Sequence, residues 1–183
     1  MKRFGKLILS AVAAIALVSC SGCGSARVTV PLALDGTAGT FEVTAGEPTA
    51  KALTGDMSNS GIAVGSGALL LRAEDISFTP ADNGGGKGTV NYQDGGAVII
   101  VSGGVAAGAD VATVCDEPVD TYGTFTITLD ADFNVESIEP ASISLEQSTI
   151  DLINSGPISI CLTVESDVDG TLVIDELTFS LGL

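Results

Sequence analysis

The sequence predicts an all-β fold, an antiparallel β-sandwich or flattened barrel of about 8–10 short strands, and three observations predict it. Runs rich in Val, Ile, Leu, Thr and Phe recur roughly every ten residues, each bounded by Gly, Asp, Asn or Pro. Within the clearest of them apolar and polar residues alternate. No segment keeps a sustained helical period.

Taken in chain order, the candidate strands are ARVTVPLAL, GTFEVTA, GALLLRAEDISFT, GTVNYQ, GAVIIVSG, DVATVC, GTFTITLDA, NVESIEPASISLE, GPISICLTVES and GTLVIDELTFSLGL. In GTFTITL, Phe125, Ile127 and Leu129 share one face and Thr124, Thr126 and Thr128 the other, the pattern of a half-buried antiparallel strand. Ala97 to Val101 is apolar without interruption, which predicts a central strand covered on both faces. In the last run Leu172 and Ile174 have one parity and Leu177, Phe179 and Leu181 the other. A β-bulge, or a strand crossing between sheets, is therefore expected near Asp175-Glu176. Two places permit a turn or two of helix, Thr49 to Leu53 and SLEQSTIDLI around Ile150. Glycines crowd ADNGGGKG, Ala81 to Gly88, which reads as a hairpin tip, and DADFN and SDVDG read as tight connections.

The first residues have a different character. Lys2, Arg3 and Lys6 precede an apolar stretch from Leu7 to Val18 that only Ser10 interrupts. A bilayer-spanning helix needs roughly 20 apolar residues, so this stretch reads as an export signal. Leu17-Val18-Ser19-Cys20 follows, and it resembles the lipobox of bacterial lipoproteins, in which the cysteine is acylated and becomes the new N-terminus. The match is complete at Cys20 and fails at Cys23, where Cys20 itself would occupy the aliphatic position. The resemblance covers about the first twenty residues and implies a lipid on Cys20 and membrane anchoring through it. It divides the chain into a signal peptide over 1–19, a lipidated flexible tether over 20–26 and a single β-rich domain over 27–183. Ser21 stands where an Asp would resemble the inner-membrane retention signal of enterobacteria, which favours the outer membrane.

Export places the remaining thiols in an oxidising compartment. Cys115 and Cys161 are the expected disulfide, leaving Cys23 as a bystander in the tether. The apolar face of ISICLTV is Ile158, Ile160, Leu162 and Val164, so Cys161 points the other way. Its partner must lie over the outside of the sheet.

Charge and composition narrow the function. The chain has 7 basic and 23 acidic side chains, and three cations leave with the signal, so the mature form carries 4 against 23, or −19. Such a surface repels phosphate backbones and anionic head groups, which argues against nucleic acid as a partner. Absence of histidine removes the Ser-His-Asp and Cys-His arrangements and the usual zinc sites. GGGKG lacks the phosphate-loop pattern, and with no Trp and two Tyr the chain is poor in the flat rings that line sugar clefts. No catalytic residue is assigned, and the protein is read as a non-enzyme. The one constellation with metal-ligand spacing is DADFNVE, where Asp130, Asp132, Asn134 and Glu136 fall at every second position and would suit calcium if the backbone curled around it. The leading expectation is a lipid-anchored, exported envelope module that binds or supports without catalysis. A calcium-assisted adhesion module and a carrier of lipid or other apolar ligands are the alternatives.

Overall fold

A computed structural model describes residues 27–34, 37–55, 64–81, 97–107, 114–115, 120–156 and 158–182. The strands are β1 (Arg27–Ala33), β2 (Thr40–Val43), β3 (Thr49–Gly55), β4 (Ser66–Leu70), β5 (Ile76–Pro80), β6 (Val98–Ala107), β7 (Asp120–Leu129), β8 (Val135–Glu139), β9 (Ile143–Ser144), β10 (Ile158–Ser166), β11 (Gly170–Ile174) and β12 (Glu176–Gly182). Among the described residues one helix, α1 (Gln147–Ser155), precedes β10, and a 3-10 turn, Ala73–Asp75, separates β4 from β5. The fold is all-β, as the sequence predicts. Every pairing is antiparallel, in three sheets ordered β1-β12-β4-β9, β2-β11-β5 and β3-β10-β6-β7-β8, none of which closes into a barrel.

The two smaller sheets are related in a simple way. β1 leads to β2, β4 to β5 and β11 to β12, so the order β1-β12-β4 in one sheet continues as β2-β11-β5 in the other. Three long strands therefore bend at one level. In the third of them the bend falls at Asp175, with Leu172 and Ile174 buried before it and Leu177, Phe179 and Leu181 after it. The apolar parity reverses because the chain changes sheets there. Hydrogen bonds tie the three bends together, with the Leu34 amide donating to the Asp175 carbonyl (2.7 Å), the Ile174 amide to Gly39 (2.9 Å) and the Asp175 amide to Asp75 (2.8 Å).

The five-stranded sheet supplies the facing layer. In register, Ile160 of β10 opposes Val105 and Leu53, Val164 opposes Val101, and Ile99 and Val101 of β6 oppose Ile127 and Phe125 of β7. Residues from all three sheets, with Ile150 and Ile153 of α1, form one buried apolar cluster. Burying each such side chain stabilises the fold by about 1.5–3 kcal/mol before ordering costs. Asn154 fixes the helix to the entry of β4. Its Oδ1 accepts from the Val64 amide (2.8 Å) while its Nδ2 donates to the Val64 carbonyl (2.9 Å).

Several expectations are corrected. Among the described residues there are twelve strands against the expected 8–10: β3 is added, and GALLLRAEDISFT and NVESIEPASISLE each divide into two, at the 3-10 turn and near Pro140, as GTLVIDELTFSLGL does at the expected Asp175 crossing. Thr49 to Leu53 is strand β3, paired with β10 along its whole length, because cross-strand packing overrides the helix propensity of Ala, Lys and Leu. β6 is central as expected, but Ile100 on its far face is 37% exposed, so only one face is fully covered. Val114 and Cys115, expected to end a strand, lie in a turn. GTVNYQ lies outside the described residues, as does the ADNGGGKG tip beyond Ala81.

Close approach at the bend makes Gly39 irreplaceable: a Cβ there would fall on the Ile174 carbonyl oxygen and 2.9 Å from the Leu34 Cβ. Backbone cannot yield as a flexible side chain does. Gly39→Ala is expected to destabilise the domain by about 1–3 kcal/mol, read from urea denaturation.

Candidate functional site

Two regions carry the residues singled out by the sequence. The first is the outer surface of the five-stranded sheet. β10 alternates strictly, with Ile158, Ile160, Leu162 and Val164 directed to the core, which turns Ser159 and Cys161 outward. The turn at Val114-Cys115 lies over that outer face, and Cys115 and Cys161 form a disulfide with Cα atoms 5.1 Å apart. Cys161 is 4% exposed and Val114 1%, so this turn covers the sheet at the site of the bond. The partner expected from strand parity is thus present.

The second region is the end of the sandwich where β2, β7, β10 and β11 begin or finish. The amide of Gly46 donates to the Ser166 carbonyl (2.8 Å), that of Asp167 to Val98 (3.2 Å) and that of Leu129 to Ala97 (2.9 Å). Turns 44–47, 130–134 and 167–169 are thereby neighbours at one end. Three of their aspartates accept from backbone amides at this end. Asp130 Oδ1 accepts from the amides of Asp132 and Asn134, both at 2.9 Å. Asp167 Oδ1 accepts from the Val98 amide (2.9 Å) and Asp169 Oδ1 from the Ala45 amide (2.8 Å). Each bond satisfies a donor that the ladder leaves free at a strand end or turn.

This geometry accounts for the four residues with calcium-like spacing. In the DADFN turn the Asp130 amide donates to Asn134 (2.9 Å), the Phe133 amide to Asp130 (3.0 Å), and Phe133 takes φ 64 to close the loop. The Phe133 ring lies 5.7 Å from Phe78 of β5, anchoring the turn to the neighbouring sheet. Asn134 directs its side-chain amide at the Asp130 carboxylate (3.3 Å), while Asp132 and Glu136 are exposed. Among the described residues no three acidic, cysteine or histidine side chains gather closely enough to hold a cation. Of the four residues, Asp130 and Asn134 bond to each other within the turn, while the carboxylates of Asp132 and Glu136 face solvent.

Other acidic side chains have similar employment. Thr171 Oγ1 donates to Glu42 Oε2 (2.9 Å) directly across the β2–β11 pair, and Thr178 Oγ1 donates to Glu176 Oε1 (3.0 Å). Asp75, at the bend, is the exception. Burial first, then the charges of Glu176 and Glu74, push its carboxyl above the ordinary range, with Arg72 opposing and Asp175 adding to the rise.

Sequence reasoning missed Lys51. It stands on β3 with the parity of Leu53, and its Nζ donates to the carbonyl of Thr37 (2.7 Å) and to that of Thr40, 5.3 Å above the Phe41 ring centroid. Its position in a run misread as helical concealed the inward face. Cys20 and Cys23 lie outside the described residues, whose helices include none long and apolar enough to cross a membrane.

No protein-family model matches this chain, and comparison with curated proteins finds no significant match.

The disulfide spans 46 positions, for which the chain-entropy model gives about 4 kcal/mol. Reduction, or paired Cys115→Ala and Cys161→Ala replacement, is expected to lower unfolding stability by up to that amount, and alkylation of the folded, unreduced domain should leave both sulfurs unmodified. The acid limb of the stability curve gives a separate test. The amides of Asn134 and Asp132 hold the Asp130 carboxyl below its ordinary range, so its contribution is complete above the unfolded pKa and disappears as pH falls through the folded one. Asp75 acts in the opposite sense, the fold regaining stability as that carboxyl protonates. Asp130→Ala should therefore be less stable than the parent at pH 7, with the gap closing below about pH 4, whereas Asp75→Asn should match or exceed it at pH 7.

Proposed function

We propose that the protein is an exported, lipid-anchored component of the bacterial cell envelope whose domain binds or supports a partner without catalysis. The observation that carries this reading is Leu17-Val18-Ser19-Cys20 placed directly after a basic start and a short apolar core. Cys20 is the acylated residue, the mature chain begins there, and the outer membrane is the favoured destination because Ser21 follows. The disulfide supports export, since such bonds persist in oxidising compartments and are rare in the cytosol. The acidity of the mature chain favours neutral or basic partners over nucleic acid. Asp130, Asp167 and Asp169 in its acidic turns accept from backbone amides of the same or a neighbouring turn or strand end, which supports a scaffold more than a calcium-dependent adhesin.

Intact mass of the protein extracted from bacterial membranes tests the reading. The expected product begins at Cys20 and carries two or three acyl chains, while Cys20→Ala leaves an unprocessed, unacylated chain. A product cleaved after Gly24, Ser25 or Ala26 and lacking lipid would refute the anchor.

A further inference from the structure

The chain enters its folded domain at one end of the sandwich and builds its acidic turns at the other. Arg27 pairs with Gly182, Gly182 with Ser66, and the Gly65 amide donates to the Gly182 carbonyl (2.8 Å). Val64 is joined to Asn154 of α1, and α1 leads into β10 at Ile158, opposite Gly55 and Ala107. Arg27, the C-terminal end of β12, the entry to β4 and the helix thus share one end. From there β10 runs nine residues to Ser166, a rise of roughly 30 Å, and arrives among turns 44–47, 130–134 and 167–169.

We infer that the anchored protein stands on the bilayer by its α1 end and holds these three turns at its membrane-distal tip. The inference rests on acylation of Cys20. Six residues separate Cys20 from Arg27, a reach of at most about 25 Å even when fully extended, which is less than the rise of β10 alone. The tether keeps the α1 end near the head groups. Charge sets the direction in which the other end points. Among the described residues the far turns carry Glu47, Asp130, Asp132, Asp167 and Asp169 and no cation, whereas the α1 end carries Glu146 and Asp151 with Arg27, one of four cations in the mature chain, beside the tether. Within a Debye length of the surface anionic lipids therefore repel the far turns more strongly than the α1 end. A domain lying on its side would bring the acidic turns into that layer, and upright placement avoids it. Of the described residues, turns 44–47, 130–134 and 167–169 are those a partner approaching from outside the membrane meets first.

Energy transfer to a head-group dye tests the orientation in the full acylated chain, reconstituted in vesicles containing phosphatidylglycerol. A donor dye is attached through Thr44→Cys at the far turns or Ser148→Cys on α1, both exposed positions, in a Cys23→Ser background. Transfer is expected to be several-fold stronger from position 148 than from position 44, and to change little with salt at position 148, where the tether fixes the distance. Equal transfer, or stronger transfer from position 44, in protein whose mass shows the acyl chains would overturn the orientation and leave the anchor standing. A mass without acyl chains would overturn the anchor, and the orientation with it.

Discussion

The shared bend in three long strands is the constraint on which the rest of the molecule depends. Two sheets of a sandwich must present their apolar faces to one core, and here both smaller sheets are made from the same three stretches of chain, which change sheet between β1 and β2, across Ala73–Asp75 and at Asp175. Changing sheet at a single residue reverses which parity points inward, so Leu172 and Ile174 can face the same cluster as Leu177, Phe179 and Leu181. The backbone makes room for this by close contact. Gly39 has no Cβ to separate it from Ile174, and the amides of Leu34, Ile174 and Asp175 exchange bonds across the three bends. Crowding of Asp75, Glu74, Asp175 and Glu176 is the cost at that level, and Arg72 offsets part of it.

Period-two patterning made much of this legible. The parity reversal at Asp175, the inward face of β7 and the outward direction of Cys161 all follow from alternation, which depends only on strand geometry. Breaks within a strand were less visible. A 3-10 turn and a cis proline bond each interrupt runs whose apolar content continues on both sides, so composition alone joined them. β3 was hidden for a different reason. TAKAL has little alternation and good helix formers, and its strand identity comes from seven residues of pairing with β10, a contact over one hundred positions away in sequence.

The acidic constellation shows what spacing cannot convey. Carboxylates at every second position can converge on a cation or serve the turn that carries them, and the sequence is the same in both cases. The difference lies in which donors the backbone leaves unpaired. In turn 130–134 the amides of Asp132 and Asn134 have no ladder partner, and Asp130 Oδ1 meets both. Asp167 and Asp169 serve Val98 and Ala45 in the same manner, linking segments far apart in the chain. Part of the negative charge of this protein is therefore structural, spent on holding strand ends together. Solubility alone would not require carboxylates bonded to backbone amides.

Edges complete the argument about how such a domain meets a partner. A sheet edge with free backbone groups invites strand addition, and the outer strands here carry features that oppose it. β1 contains Pro31, β5 ends at Pro80, β9 is two residues long, and β8 carries exposed Glu136 and Glu139 before Pro140. On β3 the side chain of Lys51 turns inward over Phe41, an inward charge that would be uncovered if the edge were drawn into another sheet. Recognition through main-chain pairing is disfavoured along these strands, though not along the edge strand β2, and side chains and turns offer the other means of contact. The turns at the far end suit that role because their backbones are already fixed by Asp130, Asp167 and Asp169, so a partner would find them ordered and would not bear the entropy of ordering them.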